Sequence, residues 1–160
     1  MRLLVMSDSH RNIEHMQYAA GQTNPDAILH LGDHMGDAQK LSQGFPNIAF
    51  HMVTGNCDLQ AGRDSELLLT FESVKLLMTH GHKYGVKSGL AGLIRQARQL
   101  RVDIAVYGHT HQASLSHERG IWFLCPGQME RHDNRIAASY GIVTIEGGRV
   151  ECGIEMLPML

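Results

Sequence analysis

The sequence predicts a single α/β domain over residues 1–160, built from two mixed β-sheets with helices on the outside. Three observations predict it. Through the first third, short apolar runs alternate with helical stripes, the order expected of parallel strands joined by right-handed crossovers. From residue 67 onward, several runs instead come in pairs separated by two or three turn residues, as in antiparallel hairpins. The composition, 43% hydrophobic and 19% charged over 160 residues, is that of a globular chain long enough to bury a sizeable core.

The elements follow in order. Residues 2–6 form a short aliphatic run, read as a buried strand, that ends in Ser7-Asp8-Ser9-His10. Residues 13–20 read as a helix capped by Asn12, with Ile13, Met16 and Ala20 on one face. Thr23-Asn24-Pro25-Asp26 is a turn, and residues 27–31 are a second strand closed by Gly32-Asp33. Residues 37–43 form a short helix stopped by Gly44-Phe45-Pro46-Asn47. Residues 48–53 are a third strand and lead to Gly55-Asn56-Cys57-Asp58. The runs 67–71 and 74–78 make a hairpin across Glu72-Ser73, whose second arm enters Thr79-His80-Gly81-His82. Leu90, Leu93, Ile94, Ala97 and Leu100 predict one long helix over residues 87–100. Residues 103–107 are a strand that delivers Gly108-His109-Thr110-His111. Residues 121–124, 139–145 and 149–154 are further strands, the last two joined by Glu146-Gly147-Gly148. No repeat, low-complexity stretch or linker interrupts the chain.

Charge and cysteine usage exclude several classes. The net charge is -2, so there is no basic stripe to track a phosphate backbone, and nucleic acid is not an expected partner. The apolar run that ends at Met6 is too short for a signal peptide or a membrane span. Three cysteines, odd in number and far apart, include no Cys-x-x-Cys; reduced thiols in a cytoplasmic protein are expected.

Five apolar runs each deliver Asp, His or Asn just past their ends, and we read these ends as converging on a two-metal site. Mixed carboxylate and imidazole donors suit Mn, Fe or Zn rather than the oxygen-only shells of Mg or Ca. In an extended segment, alternate residues point the same way, so Asp8-x-His10 and His109-x-His111 can each present both side chains. Gly32 and Gly108 let backbones approach where a side chain would obstruct. Abundance is not the signal, since six of the 11 histidines lie outside these motifs.

The ordered set Asp8-x-His10, Gly32-Asp33, Gly55-Asn56-x-Asp58, His80 and Gly108-His109-x-His111 resembles the calcineurin-like metallophosphoesterases, in particular their small bacterial and archaeal phosphodiesterase branch. A scaffold subunit of the eukaryotic retromer complex resembles that branch too. The resemblance implies a four-layer αββα sandwich. It implies that Asp8, His10 and His111 hold one metal and that Asn56, His80 and His109 hold the other, with Asp33 bridging. It further implies hydrolysis of a small phosphodiester by a metal-bridging hydroxide. Manganese is the expected metal, with Fe, Zn, Ni or Co as alternatives, and relatives of this size often form homo-oligomers. The competing expectation is a weakly catalytic scaffold engaged in protein–protein interaction.

Many larger members of that family carry His where this chain has Cys57. A thiol near carboxylates is a poor proton donor to a leaving alkoxide, which makes His82, two residues past His80, the expected general acid. Asp58 is expected either to orient Asn56 or to cap the next turn. Cys57 is expected to be a wall residue. His30 and His51 are expected to be sheet histidines, and His34 and Asp37 surface-loop residues. Cys125-Pro126-Gly127 stands where the family usually has Asn-Pro-Gly, and Arg131 and Arg135 are further phosphate-binding candidates.

Overall fold

The computed structural model describes residues 1–59, 64–130 and 137–158. Its strands are β1 (Arg2–Met6), β2 (Ala27–His30), β3 (Ala49–Met52), β4 (Glu66–Phe71), β5 (Val74–Thr79), β6 (Ile104–Val106), β7 (Ala113–Glu118), β8 (Ile121–Pro126), β9 (Ser139–Glu146) and β10 (Arg149–Met156). Its α-helices are α1 (Ile13–Thr23), α2 (Met35–Gly44) and α3 (Ala91–Leu100). The strands make two five-stranded sheets, ordered β10-β9-β1-β2-β3 and β4-β5-β6-β8-β7. β1, β2 and β3 are mutually parallel, as are β5, β6 and β8, and antiparallel strands close the edges.

Side-chain alternation sorts the residues into layers. Leu3, Val5, Leu29, Leu76, Met78, Ile104, Val106 and Leu124 form one cluster, and because they come from both sheets, that cluster lies between them. The intervening Leu4, Met6 and Ile28 turn outward and meet Met16, Ala19, Ala20, Ala38 and Leu41 of α1 and α2. Leu77, Ala105 and Phe123 meet Leu93 and Ala97 of α3 on the opposite side. The four layers αββα are therefore present. No helix among the described residues is long and apolar enough to cross a membrane.

Two elements differ from the sequence reading. The helix expected over 87–100 is broken. Residues His82–Tyr84 and Val86–Ser88 are single 3-10 turns, and the α-helix begins only at Ala91. Gly89, at φ 135, has a backbone no helix accommodates. β7 was not anticipated, because its sequence Ala-Ser-Leu-Ser-His-Glu is exposed on both faces and carries no apolar alternation. It forms because Arg119 and Gly120, at φ 53 and 82, make the two-residue hairpin turn that pairs it with β8.

The C-terminal ends of β1, β2 and β3 in one sheet, and of β5 and β6 in the other, open onto a common edge. Close backbone contact holds it. A Cβ on Gly55 would lie 2.1 Å from Asp33 Oδ1 and 2.5 Å from Asp33 N. Gly55→Ala should therefore destabilise the fold by roughly 1–3 kcal/mol through overpacking. Gly21→Ala, inside α1 with nothing within 4 Å, should stabilise it by about 0.5–1 kcal/mol. Urea unfolding of both variants tests the contrast; equal behaviour would contradict the close approach.

Candidate metal centre

The Asp8 loop is built first by its neighbours. Ser9 Oγ donates to Asp37 Oδ2 at 2.8 Å and Arg11 N donates to the same oxygen at 2.7 Å. Asp37 is thus buried and organises the loop rather than decorating the surface. From the other side Met129 N donates to Ser7 O and Glu130 N to Asp8 O, while His15 Nδ1 bonds Met129 O at 2.8 Å. The loop presents Asp8, fully buried, and His10 beside it.

The expected alternation of an extended chain does not aim these side chains. Asp8 and His10 have φ 52 and 42, His109 and His111 have φ 70 and 61, and Asp33 has φ 55. Five of the seven candidate ligands therefore sit in the left-handed region, where Asp and His are tolerated better than most residues. In each pair two left-handed residues flank one that is not, so the backbone there is not the pleat of a strand.

Asp8, His10, Asp33 and His111 bring one donor atom each to within 4.8 Å of one another. Asp8 Oδ1 lies 3.1 Å from His111 Nε2, yet neither it nor His10 Nε2 completes a well-aligned hydrogen bond among the described residues. The Glu130 carboxylate stands 3.9 Å from His10 Nε2. A second group adjoins the first. His80 Nδ1 bonds the Leu31 carbonyl at 2.8 Å, which places the proton of a neutral ring on Nδ1 and leaves a lone pair on Nε2. That nitrogen faces Asn56 Oδ1 at 3.1 Å and Asp33 Oδ1 at 3.5 Å. With that ring neutral, one nitrogen and two oxygens offer lone pairs to a single point, an arrangement that fits a cation. The His109 ring is 5.0 Å from that of His80. Asp33 touches both groups, so all seven expected ligands come together around one space.

The electrostatics follow from burial and charge. Burial pushes Asp8 up, but His111, Ser7 and His80 outweigh it and hold the carboxyl below its ordinary value. The Asp8 carboxylate pushes His111 above 6.5 against the effect of burial, with a smaller contribution from Gln128. Burial, then the Lys87 charge and His80, push His109 down. His30 is fully buried, and burial takes it to about 4 against the pull of Asp58, Asp8 and Asp37; it is a neutral core histidine on Ser9.

The remaining candidates divide. Asp58 accepts from Met35 N and Gly55 N, both at 2.8 Å, so it caps α2 and closes the Asn56 loop. Cys57 is exposed, and desolvation together with Asp33 pushes its thiol up. His82 lies 5.4 Å from His80 and 6.1 Å from His109 by ring centroids, with an unpartnered Nδ1 among the described residues. His34 packs its ring edge-on against His10 at 4.8 Å. Arg131 and Arg135 lie outside the described residues. The sequence reading missed Gln128, whose amide is 1% exposed beside His111 and unpartnered among the described residues. Its only sequence signal was its place just after Pro126-Gly127.

Residues 1–148 match the calcineurin-like phosphoesterase superfamily domain. The probable metallophosphoesterase YsnB of Bacillus subtilis is 35% identical over 149 residues, 91% of this chain and 85% of that protein. The phosphodiesterase YfcE of Escherichia coli K12 is 27% identical over 170 residues, 89% of this chain and 87% of that protein. Among solved structures, wild-type Vps29 of Entamoeba histolytica, crystallised with zinc, aligns with a TM-score of 0.73 at 20% identity, covering 98% of this chain and 99% of that one; it speaks for the fold. Since the family match spans every strand end that feeds the centre, the chain belongs to the calcineurin-like phosphoesterase superfamily.

Proposed function

We propose that the protein is a cytoplasmic, dinuclear-metal phosphodiesterase acting on a small phosphodiester. The observation that carries this is the convergence of His80 Nε2, Asn56 Oδ1 and Asp33 Oδ1 beside the Asp8–His10–Asp33–His111 cluster. Asp8, His10 and His111 would hold one cation, and Asn56, His80 and His109 the other, with Asp33 shared. Nitrogen and oxygen donors without thiolate suit manganese first, with Fe, Zn, Co and Ni as competitors. Two such cations acidify water and offset charge on phosphoryl oxygens. The name of YfcE as a phosphodiesterase supports the diester over a monoester, and the complete ligand set favours an enzyme over a bare scaffold.

The protein's own groups complete the reaction. Leu31 O fixes the tautomer of His80, and Asp58 positions Asn56 by closing its loop. Burial, followed by His80 and Lys83, pushes His82 below 6.5 despite Asp33, which makes its protonated form a stronger acid but a scarcer one. We assign it the proton transfer to the leaving oxygen, a role that the exposed Cys57 thiol does not suit.

Three outcomes are expected. Asp33→Asn should lower hydrolysis of bis(p-nitrophenyl) phosphate by on the order of 10²–10³ and reduce bound manganese, measured by elemental analysis; full metal content with full activity would refute the shared-ligand role. His82→Ala should cost about 10²-fold or more on a diester with an alkyl leaving group and far less on an aryl one. In the wild type the alkyl-to-aryl rate ratio should rise toward acid, as His82 becomes protonated, and in the variant it should be flat.

The third concerns protons. His111 is raised above 6.5 by Asp8, so the metal-free protein carries a proton there that is lost as pH rises through the folded value. Metal must displace it. Calorimetry in buffers of different ionisation enthalpy should show proton release on manganese binding near neutral pH, and affinity falling in mild acid. Affinity independent of pH across the histidine range would reject this ligand set.

A further inference from the structure

A groove of about 580 Å³ opens off the loop that joins the two ligand groups. Thr110, which stands between His109 and His111, lines it together with Gln112, Ser114, Leu90 and Lys87. Two facts make the groove chemically directional. Its polar wall is already self-satisfied: Thr110 Oγ1 donates to Gln112 O at 3.1 Å and accepts from Gln112 N at 3.3 Å. Its charge is single. Lys87 is the one ionised residue lining it, and no carboxylate lies within 4.0 Å of its ammonium among the described residues.

The backbone fixes where Lys87 starts. Gly85 and Gly89, at φ 63 and 135, bound a one-turn segment whose middle follows the buried Val86, itself packed against Gly81. The His82–Ser88 segment is thus anchored to the end of β5, and the lysine projects from a fixed base. Lys87 shares the lining of the groove with Thr110, which joins His109 to His111, so the groove adjoins both ligand groups.

We infer that this groove receives the second ester arm of the substrate, the one that does not leave, and that Lys87 selects an arm ending in an anionic group, carboxylate or phosphate. The inference rests on the phosphodiesterase reading above. The phosphodiester charge itself would be met by the ligand cluster, which leaves Lys87, in the adjoining groove, for what the phosphorus carries. A polar wall and one unpaired cation disfavour a hydrocarbon arm, and like charge disfavours a cationic one.

Three p-nitrophenyl diesters that share a leaving group test this, with the other arm neutral (methyl), cationic (choline) or carboxylate-ended. In the manganese-loaded wild type kcat/KM should be highest for the carboxylate arm and lowest for choline. Lys87→Ala should reduce the carboxylate-over-methyl preference about fivefold, the upper range for an exposed ion pair, mainly through KM, and Lys87→Arg should keep it. Calorimetry with a non-hydrolysable phosphonate that carries the carboxylate arm should show the same loss of affinity at unchanged metal content. A preference ratio unmoved by Lys87→Ala, or a wild type indifferent to arm charge, overturns the inference while leaving the diesterase intact. A wild type that hydrolyses none of the three overturns the diesterase reading, and this inference with it.

Discussion

Two carboxylates buried where the sheets meet, Asp8 at 0% and Asp33 at 2% exposure, are the constraint on which the rest of the structure depends. A buried charge is costly unless paired or hydrogen-bonded. The nearest donors are therefore drawn to them from several elements. Asp8 Oδ2 accepts from Ser7 Oγ and from His109 N, which ties the end of β1 to the loop after β6 in the opposite sheet. Asp33 Oδ1 accepts from Cys57 N at 2.9 Å, which ties β2 to the loop after β3. These bonds satisfy only part of each carboxylate. Asp8 Oδ1 remains without a well-aligned bond among the described residues and faces His111 Nε2, while Asp33 Oδ1 also faces His80 Nε2.

That arrangement imposes a strained backbone. A left-handed residue costs roughly 1–2 kcal/mol, somewhat less for Asp and His, so five of them cost an amount comparable with the net stability of an ordinary domain, about 5–15 kcal/mol. Such conformations persist only where their surroundings over-determine them. Here the surroundings are the layers on either side. The strands that lead to Asp8, Asp33 and His109 are almost wholly buried, with Leu3, Leu4, Val5 and Met6 each at 0% and Ile104, Ala105 and Val106 likewise. Each large apolar side chain so buried contributes roughly 1.5–3 kcal/mol. The rigid core fixes where each strand stops, and the loop beyond has no freedom to relax.

This division explains what the sequence makes legible. A strand that must be buried on both faces leaves a continuous apolar run, and the residue that ends it is visible by contrast; hence Asp8, Asp33 and His109, after β1, β2 and β6, could be placed at strand ends, with Asn56 and His80 after the less buried runs of β3 and β5, and all four layers follow. What is illegible is what three-dimensional contact decides. β7 leaves no periodicity because its pairing comes from a turn and an open sheet edge. Asp37 reads as a surface residue by type, yet it is the acceptor that folds a loop 26 residues away. Gln128 carries only its place just after Pro126-Gly127. The left-handed backbone of the candidate ligand pairs hides for a different reason: Asp and His are the residue types expected of metal donors, and the same types also tolerate that conformation, so one signal covers two causes.

The seam is joined by bonds made by protein alone. His80 Nδ1 reaches Leu31 O across the two sheets, Gly108 N donates to His80 O, and His109 N donates to Asp8. These set the directions of the candidate ligands through the backbone. Any cation held there would add stability by mass action, in proportion to its concentration over its dissociation constant. The chemistry depends on whether the residues at five strand ends are retained. In this chain Asp8, His10, Asp33, Asn56, His80, His109 and His111 all stand there.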